Sequence, residues 1–141
     1  MNRTADLFAD AALDTLLLPF ATGALTWPST AETLFMRARG GAALKALPTD
    51  RLVCAQSFKP FADALRAMGL TLAEVSAQKF PLVLLLPPRQ REESRALLAR
   101  ALQRVEPGGT VVASALNNEG ARSAEGDLER LAGPVHSLSK N

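Results

Sequence analysis

The sequence predicts an α/β domain with a mostly parallel sheet flanked by helices, and three observations carry that prediction. Phe80 to Pro88 contains no polar side chain, the composition of a strand buried on both faces. Val111 to Leu116 is a second short apolar run that reads as its neighbour. The segment between them repeats its apolar residues with helical period, which makes one βαβ unit; the remainder of the chain keeps the same alternation of strand and helix.

Thr4 can cap a first helix in which Leu7, Phe8, Ala11 and Leu18 recur on one side and which Pro19 stops. Phe20 to Ser29, with Gly23, Trp27 and Pro28, reads as a loop crossing apolar surface. Thr33 to Met36 is the first strand. Arg37 to Pro48 holds Gly40-Gly41 and then an Ala/Leu segment of at most two helical turns. Arg51 to Gln56 is the second strand.

Ser57 is placed to cap the next helix, which tolerates Pro60 in its first turn. Phe58, Phe61, Leu65 and Met68 form its apolar stripe, and Gly69 closes it in the left-handed position. Leu70 to Val75 reads as a third strand, alternating at Leu70 and Leu72 with Glu74 facing out. The helix from about Gln90 to Val105 sets Leu97, Leu98, Ala101, Leu102 and Val105 against the core. Its Glu92 and Glu93 sit at the start and Arg104 at the end, matching the helix dipole. A final helix spans about Arg122 to Ala132 and ends at Gly133-Pro134. Val135 to Asn141 then begins another strand, so the sheet is expected to be incomplete at its C-terminal end.

The chain has 141 residues, 48% hydrophobic and 21% charged, which suits one folded domain and excludes wholesale disorder. A net charge of +2 is too small to demand a polyanionic partner, and six Phe, one Trp and no Tyr advertise no run of stacking platforms. One cysteine and one histidine make a metal site of thiolate or imidazole ligands an unfavoured expectation, and none is assigned. Cys54 lies in an apolar stretch and reads as a buried, inert thiol; His136 reads as a surface residue. The leading segment is broken by Asp6, Asp10 and Asp14 and does not read as a signal peptide. No apolar run reaches the roughly 18 residues of a bilayer span. The expectation is a soluble cytoplasmic protein without a membrane partner.

In open parallel sheets ligands bind beyond the carboxyl ends of the strands, so those ends are where function is sought. The first strand is followed by Ala38-Arg39-Gly40-Gly41, with too little chain for a long helix. The second ends in Gln56-Ser57, where a nucleotide-binding sheet carries an acid for ribose hydroxyls. The fourth ends in Leu86-Pro87-Pro88-Arg89, and the fifth leads into Asn117-Asn118-Glu119-Gly120-Ala121-Arg122-Ser123-Ala124-Glu125.

From Phe80 to Leu131 these pieces resemble the class I S-adenosylmethionine-dependent methyltransferases. More narrowly, they resemble the N-terminal domain of bacterial ribosomal-RNA guanine-N2 methyltransferases built from two tandem halves. The carrying residues are Leu86-Pro87-Pro88, Glu92-Glu93, Leu97 and Leu102, Pro107-Gly108-Gly109, and above all the block from Asn117 to Glu125. The resemblance implies a Rossmann-like, methyltransferase-type sheet over residues 1–141, a single domain cut from a longer two-domain protein. It also implies that the C-terminal half holds S-adenosylmethionine and carries an Asn-Pro-Pro-aromatic motif, and that this half lost its cofactor site.

The departures from the family pattern agree with that loss. Leu86 stands where Asn or Asp would receive the guanine amino group, and Arg89 stands where an aromatic would stack and would repel a sulfonium. No catalytic, cofactor-binding or metal-binding residue is therefore assigned, and no cofactor is expected on this half. Its partners would be the catalytic domain of the same chain and ribosomal RNA. The candidate contact rim is Arg89, Arg91, Asn117, Asn118 and Arg122, whose cations could touch phosphate without reading sequence. Two other readings remain open: a free-standing α/β module that docks RNA or a protein through the same rim, and an ordinary loop and helix start with no ligand. A hydrolase is disfavoured because the chain has no Gly-x-Ser-x-Gly turn.

Overall fold

Side chains alternate along a strand, so a strand that is apolar at every position must be covered from both sides. The computed structural model, which describes residues 10–74, 77–114, 125–126 and 130, shows how the chain meets that requirement. In order it forms α1 (Ala11–Thr22), β1 (Thr33–Met36), α2 (Ala42–Lys45), β2 (Leu52–Ala55), α3 (Lys59–Ala67), β3 (Thr71–Leu72), β4 (Phe80–Leu85), α4 (Arg91–Arg104) and β5 (Val105–Ala113). The strands form one sheet in the order β3-β2-β1-β4-β5, and every pairing is parallel.

The two faces divide the strand residues by parity. Phe35, Cys54, Leu82 and Leu84 pack with Leu13, Leu16 and Leu17 of α1, Leu44 of α2 and Leu65 of α3. Leu34, Met36, Val53, Val83 and Leu85 pack with Leu98 and Ala101 of α4. Each such aliphatic side chain contributes about 1.5–3 kcal/mol by leaving water. All four residues of β1 are buried, which puts it at the centre of the sheet.

Several boundaries differ from the sequence expectation. The helix expected to stop at Pro19 runs through it to Thr22 and ends at Gly23, whose φ is 83°. Pro19 lacks only its own N–H, and its carbonyl accepts from Leu25 N at 3.0 Å and from Thr22 Oγ1 at 3.3 Å. The described cap of α1 is Asp10, which accepts from Leu13 N at 3.1 Å; Thr4, Leu7 and Phe8 lie outside the described residues. Leu18, expected on the apolar side, is exposed, because Leu13, Leu16 and Leu17 form the buried stripe. Phe20, expected to open the loop but lying in the last turn of α1, packs edge to face on Trp27 at 5.2 Å, and Trp27 Nε1 donates to Pro48 O at 2.8 Å. This segment does cross the apolar surface, as expected.

Ser57 does not cap α3. Phe58 is the cap residue and has no side-chain cap bond, while Gln56 Oε1 accepts from Phe58 N at 2.9 Å. The buried residues of α3 are Ala62 and Leu65, so Phe58 and Phe61 fall outside its core stripe. Gly69 takes the left-handed turn with φ 81°. β3 is only Thr71–Leu72, shorter than expected. Gln90, where the helix is expected to begin, caps α4 by accepting from Glu93 N at 2.6 Å.

β5 starts at Val105, directly after α4, well before the expected Val111. Val105 pairs with Phe80 and Thr110 with Leu82, so the register shifts through Pro107-Gly108-Gly109. Pro107 has no N–H for a ladder and Gly108 takes φ 81°, which together make this a bulge. Ala115 and Leu116, the expected strand from Val135 to Asn141, and His136 lie outside the described residues. The same holds for most of the expected helix from Arg122 to Ala132, although Glu125, Gly126 and Arg130 within it are helical.

Candidate functional site

The sheet order reverses between β1 and β4: from β1 the chain builds outward through β2 and β3, then returns to add β4 and β5 on the other side. The crevice over the carboxyl ends of these two strands is where a parallel sheet of this kind binds ligands. Here it is crossed by Arg37. That residue follows β1, takes the left-handed φ of 52°, and donates from Nη1 to Leu86 O at 2.7 Å. A non-glycine residue in that conformation costs about 1–2 kcal/mol, offset by a charge-assisted bond. Burial pulls the Arg37 pKa below its ordinary value, and the Glu93 carboxylate acts against that shift by favouring the cation.

The next residues are tied down in turn. Ala38 is fully buried, and its carbonyl accepts from Gln56 Nε2 at 2.7 Å. The side chain at the end of β2 thus braces the exit of β1 with its amide N–H while its oxygen holds Phe58 N. Arg39 forms a two-pronged pair with Asp10, Nε to Oδ2 at 2.8 Å and Nη2 to Oδ1 at 3.0 Å. A methyl group built on Gly40 would collide with Met68 Sδ, and one built on Gly41 would come within 2.8 Å of Leu13 Cδ2. The close approach these glycines allow is therefore to the chain's own α1 and to the end of α3.

Leu86, at the end of β4, is 1% exposed and packs in the core cluster of α1. Of the five rim candidates, Arg89 and Arg91 lie just beyond it, both exposed, Arg91 as the first residue of α4. Asn117, Asn118 and Arg122 lie outside the described residues, so the structure does not test their association with Arg89 and Arg91.

Sequence reasoning missed the groove beside the crevice. A space of about 450 Å³ opens between the start of α3 and the stretch of α4 from Glu93 to Arg100. Arg37, Gln56 and Ser57 line its base, Phe58 and Phe61 one wall, and Glu93, Ala96, Leu97 and Arg100 the other. Phe58 is 54% exposed and Phe61 38%, and their rings meet edge to face at 5.0 Å. The signal was present in part, because Phe58 and Phe61 flank Pro60 at the helix start, ahead of the residues that reach the core.

Cys54, in the middle of β2, is fully buried, as its apolar setting predicts. Burial pushes its pKa up from 9.0 to about 12, so the thiolate is strongly disfavoured in the folded chain. The thiol is expected not to react with a disulfide reagent at pH 8 until denaturant is added; prompt native labelling would contradict this burial. Since the unfolded thiol ionises first, its contribution to stability is present below about pH 9 and declines as pH rises toward about 12. Among the described residues no group of three His, Cys, Asp or Glu side chains is placed to hold a metal ion, and no helix is long and apolar enough to cross a membrane.

No family model matches the chain, and no curated protein matches it in sequence. Solved structures do. The T. thermophilus 16S rRNA N2 methyltransferase RsmC, determined with AdoMet and guanosine, superposes with a TM-score of 0.70 at 20% identity. That match covers 90% of this chain and 35% of RsmC, so the chain spans about a third of that protein. CcbJ, a methyltransferase from Streptomyces caelestis, gives 0.55 at 20% identity over 77% of this chain and 51% of its own. The glycopeptide N-methyltransferase MtfA with sinefungin gives 0.53 at 20% identity over 75% of this chain and 54% of its own. Sheet order and these likenesses together give the chain the class I S-adenosylmethionine-dependent methyltransferase fold.

Proposed function

We propose that this chain is the non-catalytic, methyltransferase-like N-terminal domain of a ribosomal-RNA guanine-N2 methyltransferase, working in the cytoplasm. It supports the catalytic half of the same protein and meets RNA through the strand-end rim of Arg89, Arg91, Asn117, Asn118 and Arg122. The observation that carries this reading is the closure of the β1–β4 crevice by the chain's own side chains. Arg37 bridges across it to Leu86 O, and the loop that follows, at Gly40 and Gly41, packs on the chain's own Met68 and Leu13.

These residues do not fit S-adenosylmethionine. A ligand there needs a carboxylate for its ribose and backbone open for close approach. Gln56 is neutral and engaged at both ends, and the Arg37 guanidinium would face a sulfonium with like charge. No methyl-transfer step is assigned to this domain. What its residues can do is hold shape and present cations, with the salt-sensitive affinity that phosphate contacts give. The resemblance of RsmC over 90% of this chain supports the reading.

Titration calorimetry with S-adenosylmethionine is expected to show no heat of binding to this chain. Micromolar affinity would overturn the proposal, because a working cofactor cleft would then exist where Arg37 and Gln56 stand.

A further inference from the structure

We propose that the groove between α3 and α4 holds one base of a single-stranded nucleic acid, stacked on the Phe58–Phe61 pair, with its phosphate on Arg100. Its lining includes neither Arg89 nor Arg91, the described residues of the strand-end rim.

The argument starts from the exposed aromatic pair. Two phenyl rings held edge to face on a helix start are already ordered, so a flat partner meets them at little entropic cost. Phe58 at 54% and Phe61 at 38% exposure leave ring surface for a third ring, and the volume of about 450 Å³ is in the range of small-ligand sites. Leu97 on α4 supplies an apolar wall opposite.

The polar groups select among flat partners. Arg37 and Arg100 bring two cations against the single carboxylate of Glu93, so the groove favours an anion. Glu93 favours the charge of Arg37, which is anchored to Leu86 O, and this leaves Arg100 as the cation for an incoming phosphate. A nucleotide joins a ring with a π-face to a phosphate and offers both within one residue. A protein helix in the same groove would have to desolvate two guanidinium groups and a carboxylate with nothing built to pair them.

The test measures anisotropy of a fluorescein-labelled oligouridine with the full chain at low salt. Phe58→Ala and Phe61→Ala are each expected to weaken binding about tenfold. Both side chains are largely outside the core, so circular dichroism is expected to be unchanged. Arg100→Gln is expected to lower the slope of log affinity against log salt by about one. Arg51→Gln, exposed before β2 at the opposite end of the sheet, serves as the charge control, and a change of about twofold or less is expected.

Oligonucleotide binding that ignores both Phe substitutions overturns the inference, as does the absence of binding. If affinity falls only in Arg89→Ala with Arg91→Ala, the rim reading stands and the groove inference fails. If the Phe variants instead abolish a concentration-dependent self-association while oligouridine never binds, the groove is a protein contact and the inference also fails.

Discussion

Leu86→Asn is expected to lower folding stability by about 3–5 kcal/mol and to leave S-adenosylmethionine unbound. The substitution places at the end of β4 the polar residue that the resemblance to the methyltransferases implies, so a site that lacked only this residue would be expected to bind. The structure argues otherwise. Leu86 is 1% exposed and packs with Leu13, Leu16 and Leu84, so the new amide would sit among aliphatic groups instead of the crevice. The loss combines the packing of a buried leucine with the burial of donors and acceptors that find no partner. Urea unfolding measures the loss of stability, and calorimetry measures cofactor binding. A variant as stable as the parent that also binds the cofactor would show that the β4 end still faces a ligand.

Gly109→Ala is expected to cost about 2 kcal/mol, through contact and not through conformation. A Cβ at Gly109 would lie 2.7 Å from Val105 Cγ2, 2.8 Å from Pro81 O and 3.0 Å from Glu106 O. Two of these atoms are backbone, so relief requires β5 to move against β4. Gly108 gives the contrast, since its Cβ would meet nothing within 4 Å but its φ is 81°. Gly108→Ala should therefore cost about 1–2 kcal/mol without disturbing the ladder. Amide exchange separates the two: Gly109→Ala should speed exchange at Val111 and Val112, and Gly108→Ala should not. Equal exchange in both variants would mean that the bulge yields freely.

The sheet was legible wherever burial on two faces left no polar residue in a strand. Leu34 to Met36 and the run from Phe80 announced themselves in that way, and their pairing follows from the strand–helix rhythm. Helix faces were less legible. Periodicity says that Phe58, Phe61 and Leu65 share a side, but not how far the facing layer extends to cover it. Here the cover reaches Ala62 and Leu65 and stops short of both phenylalanines.

The strand ends were legible as departures from a pattern and opaque as geometry. That Gln56 stands where an acid is expected can be read from one residue. That it braces Ala38 depends on how two strands far apart in sequence come to lie together. Arg37 was hidden for the same reason, since its acceptor is Leu86, 49 positions on. Pro19 misled because one missing N–H does not end a helix whose other bonds persist, and the true stop is the left-handed Gly23. The start of β5 was misplaced because a bulge of Pro and Gly looks locally like a turn.

Asp10 closes the first turn of α1 with one oxygen and grips the guanidinium of Arg39 with both. A single carboxylate thus latches the amino end of a helix to the loop leaving the central strand. Thermal fraying at that helix end would release Arg39 together with the hydrogen bond to Leu13, so the two segments open as one cooperative latch. Breathing of α1 at its amino end is thereby relayed to the strand-end surface, and any partner that clamps either segment quiets both.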